Sequence, residues 1–150
     1  MITSNGSTRV AIRSATPADR QALDQLAERL ADFDRPSWRS REEIAEGDRR
    51  ALYEALDRPR ADTELFLAEL EGHPVGCLLM WTLQDYFSQR LHAHVSVIAV
   101  AKASEGQGIG RALMAHAEAW ARSRARSHYA QRLRRERARA GVVRARGLHD

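Results

Sequence analysis

Apolar and polar positions change rhythm several times along the chain, and each change predicts an element. Val10 and Ile12 are the apolar members of a short alternating run over Arg9 to Arg13, which predicts a first strand. Thr16-Pro17-Ala18-Asp19 combines a cap, a first-turn proline and an early acid, the signature of a helix start. Leu23, Leu26, Ala27, Leu30 and Phe33 then recur at helical spacing. The segment from Asp34 to Trp38, with Pro36, breaks that helix. Ser40-Arg41-Glu42-Glu43 is a capping box that opens a second helix. Its apolar stripe of Ile44, Leu52 and Leu56 is sparse, so this helix is expected to lie loosely over the body. Glu64 to Leu70 and Val75 to Leu83 read as strands joined by the turn Glu71-Gly72-His73-Pro74, and so as a hairpin. Asp85 to Arg90 is polar with Tyr86 and Phe87, and reads as a loop or a short helical turn. His92 to Val100 is a further strand, with Val95, Val97 and Ala99 on one face and His94, Ser96 and Ile98 on the other. From Ile109 a helix presents Leu113, Met114, Ala117, Trp120 and Ala121 on one side.

The connection between that last strand and helix is the most informative stretch. Gly106, Gly108 and Gly110 stand at every second position and free the backbone for unusual angles. The helix start behind them offers unpaired N–H groups and a partial positive charge, which together cradle a pyrophosphate. A bare turn of this kind is equally satisfied by a tight strand-to-helix connection that binds nothing.

Composition adds three points. A chain of 150 residues is one domain with room for a core. The single Cys77 excludes an internal disulfide and a cysteine-rich metal site, and it reads as a buried strand residue. No secretory segment and no membrane-length apolar run is evident, so a cytoplasmic location without membrane contact is expected. The net charge of +4 hides a division. Ten arginines against Glu136 alone lie between Arg122 and Arg146, leaving the rest of the chain mildly acidic. Lys102 is the only lysine, the bias that GC-rich codons would give.

Strand, two helices, hairpin, strand, glycine turn and helix, in this order, resemble the GNAT family of acyl-CoA N-acyltransferases over roughly Arg9 to Arg124. The family's Q/R-x-x-G-x-G/A turn is matched by Glu105-Gly106-Gln107-Gly108-Ile109-Gly110, followed by a typical Arg111-Ala112-Leu113-Met114. Glu71-Gly72-His73-Pro74-Val75-Gly76 resembles the family's hairpin. The resemblance implies an α/β fold, with a mixed α+β sheet, and transfer of an acetyl group from acetyl-CoA to a small-molecule or peptide amine. It implies that the amides from Glu105 through Gly106, Gln107, Gly108, Ile109 and Gly110 to Arg111 hold the pyrophosphate. It also implies that Ile98, Ala99 and Val100 pair with the pantetheine arm, where a backbone N–H would polarise the thioester carbonyl. Two positions depart from the family. Glu105 stands where Gln or Arg is usual, so its side chain adds no positive charge. Ser96 stands where many members carry a glutamate base; His94, two residues earlier on the same face, is an imidazole, the side chain most often used as a general base. His94 is equally well explained as the lining of a half-exposed strand.

Beyond the glycine helix the family has another strand, a helix with Asn and Tyr, and a closing strand, in the pattern L-x-V-x-x-x-N-x-x-A-x-x-x-Y-x-x-x-G-F. Ser127 to Asp150 does not read that way. Back-translated with plausible codons and read one base later, however, the same stretch yields that ending in order and spacing. The shifted Asn then coincides with Glu136 and the shifted Tyr with Val143. The tail, about 125–150, is accordingly read as a frameshift product on a GNAT-like domain of 1–124, lacking the last strands and the Tyr that the family uses on the departing thiolate. Arg126 to Ala140 is expected to extend the loop helix or form a loose basic helix, stopped by Gly141.

Three functions follow as alternatives: an acetyltransferase impaired in this form, a non-catalytic acyl-CoA-binding or interaction protein, and a nucleic-acid binder using the tail. The tail lacks interleaved aromatics apart from Tyr129, so no specific nucleic-acid partner is expected. The uncovered edge of the loop strand could recruit a second copy, giving a homo-oligomer. Asp32, Asp34, Trp38, Tyr86 and Phe87 lie in segments that shape the acceptor cleft in this family, and they are equally explained as solvated loops. His116 and His128 lack partners at metal-ligand spacing, so no metal is expected.

Overall fold

A computed structural model of the chain describes residues 9–31 and 37–140, with side chains described as far as His128. Four strands, β1 (Val10–Ser14), β2 (Thr63–Leu70), β3 (His73–Gln84) and β4 (Leu91–Val100), form one antiparallel sheet in the order β1-β2-β3-β4. Helices α1 (Arg20–Leu30) and α2 (Arg41–Asp57) lie between β1 and β2 in sequence, and α3 (Ile109–Ala140) follows β4. Among the described residues β4 is an edge of the sheet. No helix among them is long and apolar enough to cross a membrane.

The period-two pattern of β2 and β3 sends apolar side chains to both faces, so the hairpin is the middle layer of the molecule. Leu65, Leu67, Cys77 and Leu79 face α1 and α2, where they meet Leu23, Leu26 and Leu52. Phe66, Ala68, Leu78 and Met80 face α3, where they meet Ile109, Leu113 and Ala117. Phe33, expected in α1, lies outside the described residues, and α1 ends at Leu30.

The second helix corrects an expectation. It is docked firmly rather than loosely. Ser40 caps it by accepting a hydrogen bond from the Glu43 N–H at 3.1 Å, and Ala45, Leu52 and Leu56 are buried. Burial of a leucine side chain such as Leu52 stabilises by about 1.5–3 kcal/mol. Arg49 then reaches across to α1 and pairs with Asp24 at 2.8 Å and Glu28 at 2.7 Å. The start of α1 is held to the sheet in a similar way. Arg13 on β1 donates to both oxygens of the buried Asp19 at 2.8 Å and pairs with Glu69 on β2 at 2.6 Å. That guanidinium holds the Asp19 carboxyl down at about 2.

The alternation expected along β4 is also corrected. Leu79 faces Val97 but Met80 faces Val95, so Ser96 is an extra residue, a β-bulge. Val97 and Ala99 pack toward α1 and α2, while Ile98 and Val100 pack toward α3. Below the bulge the parity inverts. Ala93 packs on the α3 side, and the His94 ring lies 5.5 Å from Trp81, which projects from β3 on the α2 side. His94 and Ser96 therefore share a face with Val97 and Ala99, and Ile98 is opposite.

The third helix continues without interruption through the arginine-rich segment to Ala140, as an extension of the loop helix. Gly141, the expected stop, lies outside the described residues.

Candidate functional site

The end of β4 and the head of α3 build the glycine turn. The Ala101 N–H donates to the Val75 carbonyl at 2.8 Å, so sheet pairing runs one residue past β4. A short 3-10 turn, Lys102–Ser104, is closed by the Ser104 N–H on the Ala101 carbonyl at 2.9 Å, and it buries Ser104. Gly106 and Gly108 then take φ of 78° and 79°, the left-handed region that L side chains avoid. Ile109 is buried at the head of α3 and pins the turn to the core. The helix begins its ladder with the Ala112 N–H on the Gly108 carbonyl at 3.0 Å. The N–H groups of Ile109, Gly110 and Arg111 precede that bond, so the helix itself leaves them available to an anion. At Gly110 a Cβ would meet only Val100, at 3.9 Å.

Two residues that support this turn had no site role in the sequence reading. Arg29, in the last turn of α1, forms an ion pair with Glu105. The residue that departs from the family thus carries a cation beside it, supplied from 76 positions away in the chain. Gly76 is the second. A Cβ there would stand 2.9 Å from the Ala99 carbonyl oxygen, 3.2 Å from Leu113 and 3.3 Å from Ile109. Only glycine lets β3, β4 and the head of α3 approach so closely. A backbone contact between β3 and β4 leaves no mark in the local sequence pattern, and neither does the Arg29 pair.

Ser96 lies four residues up the strand from Val100, about 13 Å at 3.3 Å per residue. There it lines an open cleft of about 310 Å³ between α2, the start of β2, and β3. Trp81 lies in the wall and has the His94 ring against it. Thus the bulge places Ser96 in the cleft and His94 at its side, while Ile98, Ala99 and Val100 lead from it to the glycine turn. Trp38, Tyr86 and Phe87, from the segments that shape the family's acceptor cleft, do not line this one. All three are exposed, and the last two stack edge to face at 5.2 Å in the β3–β4 connection. The Asp85 carboxylate organises that connection, accepting from the Phe87 and Ser88 N–H groups. Asp32 and Asp34 lie outside the described residues. Cys77 is buried, and burial pushes its thiol up to about 12, which leaves it un-ionised and unreactive at neutral pH. His116 packs on the edge of Phe66 at 4.4 Å. Among the described residues, no group of three His, Cys, Asp or Glu side chains is arranged to hold a metal.

The fold and the turn define a class, and sequence comparison agrees with it. The Acetyltransferase (GNAT) family matches residues 24–147, and the chain belongs to this acetyltransferase family. Solved structures share the fold. A GNAT family acetyltransferase from Staphylococcus aureus is 16% identical with a TM-score of 0.55, covering 77% of this chain and 80% of its own. A ribosomal-protein-alanine N-acetyltransferase from Brucella melitensis is 22% identical with a TM-score of 0.57, covering 77% and 74%. An aminoglycoside acetyltransferase from an uncultured soil metagenomic sample, solved with sisomicin, is 20% identical with a TM-score of 0.54, covering 94% and 93%. No curated protein sequence matches the chain significantly.

Proposed function

We propose that this chain is an N-acetyltransferase by descent, which binds acetyl-CoA at the glycine turn and directs its acetyl group to a small-molecule or peptide amine. The observation that carries the reading is the left-handed turn at Gly106 and Gly108 leading into α3, with the amides of Ile109, Gly110 and Arg111 ahead of the helical ladder. Bound acetyl-CoA would supply the activated acyl group. Glu105, Gly106, Gln107, Gly108 and the following amides hold its phosphates, and Arg29 offsets the negative charge of Glu105. Ile98, Ala99 and Val100 guide the arm toward the bulge. His94 accepts the proton of the incoming ammonium, and Ser96 orients the amine at the bulge. No metal and no specific nucleic acid enter this reading.

The same reading holds that 1–124 is the family domain and that 125–150 is a frameshifted tail. On this reading the chain lacks the family's closing strand and Tyr, so turnover is impaired while acetyl-CoA affinity survives. A non-catalytic acyl-CoA-binding protein is the second reading, favoured by the position of β4 at the sheet edge among the described residues. Calorimetry separates these. Acetyl-CoA should bind the wild type, and Gly108→Val should weaken that binding at least tenfold. Valine at a φ of 79° is strained by about 1–3 kcal/mol and crowds the phosphates. Equal affinities would remove the loop assignment. Affinity with no thiol release from any amine would favour the second reading.

A further inference from the structure

The cleft beside Ser96 has a lining that selects among amines, and this inference rests on the transferase reading above. Its apolar wall comes from Leu79, Trp81 and Leu83 on β3 together with Ala51 and Ala55 on α2. Trp81 and Leu83 remain 38% and 42% exposed, although the same strand buries everything from Val75 to Met80. Contiguous apolar and aromatic side chains left open beside a cavity are the lining expected of a small-molecule site.

The charges at the rim cancel. Arg60 pairs with Asp62 at 3.3 Å, and the Thr63 hydroxyl donates to the same carboxylate at 3.2 Å. Arg58 and Glu54, the other ionic members of the lining, are again one of each sign. A cleft that concentrates polycations needs a clear excess of acids, and this one has none. Its volume, about 310 Å³, lies at the small end of small-molecule sites, which run from about 300 to 1,000 Å³. That suits a compact molecule.

We propose that the cleft takes a small monoamine with an apolar or aromatic body, the body lying against Trp81 and Leu83 and the amine reaching Ser96 at the bulge. The His94 ring, tilted against Trp81 at 5.5 Å, backs that aromatic wall. Selectivity then comes from the wall rather than from the rim.

The test reads binding rather than turnover, so an impaired tail does not obscure it. Saturation-transfer NMR compares β-phenethylamine with spermidine at matched ionic strength. It uses the wild type, Leu83→Glu and Trp81→Ala. Both substitutions fall at exposed positions, and melting temperature confirms that each variant folds. β-Phenethylamine should bind the wild type, at least tenfold more weakly in Leu83→Glu and in Trp81→Ala. Calorimetry should show acetyl-CoA affinity unchanged within twofold in Leu83→Glu. Tighter binding of spermidine, no binding of β-phenethylamine, or equal binding in Leu83→Glu would overturn the proposal. If β-phenethylamine binds as expected but acetyl-CoA does not bind at all, the transferase reading falls and the amine site stands. The reverse pattern removes the amine site alone.

Discussion

The two halves of α3 are built on opposite principles. From Ile109 to Trp120 the helix is anchored at its head by the glycine turn, and Ile109, Leu113 and Ala117 are buried at helical spacing against the hairpin. After Ala117, no further residue of α3 with a described side chain is buried. Its contacts with the strands become polar: Arg124 with Glu64 at 3.6 Å and His128 with Gln84 at 3.5 Å. Arg124 also lies over the Trp120 ring at 5.1 Å. Then the arginine run begins. The comparison teaches that helix continuity says little about what a segment contributes. Alanine and arginine sustain a helix by propensity alone, whereas a buried stripe ties a helix to a fold.

If the second half is a frameshift product, repairing the frame gives the largest effect. The corrected chain should gain a strand beside β4 and the family's Tyr. Turnover should rise about a hundredfold or more, the usual worth of a positioned acid. Acetyl-CoA affinity should change far less, because the glycine turn proposed to hold its phosphates is already present. Thiol release from an amine panel and melting temperature, measured side by side, check this. A corrected chain that is neither more active nor more stable makes the tail a genuine feature.

The first half is sharpened by Gly76→Ala. The added methyl meets the Ala99 carbonyl at 2.9 Å, and backbone cannot swing aside as a side chain can. A loss of about 1–3 kcal/mol in urea unfolding is expected. Stability equal to wild type would mean that the approach of α3 to the hairpin is slack.

Acid titration compares the firmly tied β1–α1 corner with the rest. Asp19 has its carboxyl lowered from 3.8 to about 2, chiefly by the hydrogen bonds from Arg13. Its contribution is fully present above the ordinary value and is lost as pH falls through the folded one. Asp19→Asn should therefore cost about 1–2 kcal/mol at pH 6, and the gap should narrow between pH 4 and 2. A gap independent of pH would show that charge is not what Asp19 contributes. The smallest effect belongs to the tail. Ending the chain at His128 should change stability by less than about 0.5 kcal/mol. A larger drop in urea unfolding would show that the arginine segment packs on the domain.

Much of this was legible in the sequence because it is local. The hairpin is written in Leu65 to Ala68 and Val75 to Leu83, and the turn in three alternating glycines. The bulge was not legible. Val95-Ser96-Val97-Ile98 reads as unbroken alternation, and only the register with β3 shows that Ser96 is extra. The docking of α2 was underestimated because one of its anchors is a small residue, Ala45, and others are ion pairs to α1 rather than a wide apolar stripe. Trp38, Tyr86 and Phe87 had two readings, acceptor-cleft segments or solvated loops, and they stand exposed. Arg29 reaches Glu105 only after α1 has folded onto the sheet.

Gly76 carries one more consequence. It sits in the hairpin, remote in sequence from the glycine turn, yet a Cβ there would crowd both Ile109 and Leu113, which anchor the head of α3 behind that turn. In a mutational scan scored by coenzyme A capture, position 76 would rank among the ligand contacts although it meets no ligand. A map of the binding site drawn from such a scan would extend along β3, and an engineer grafting the glycine turn onto another scaffold would need to carry this hairpin position with it.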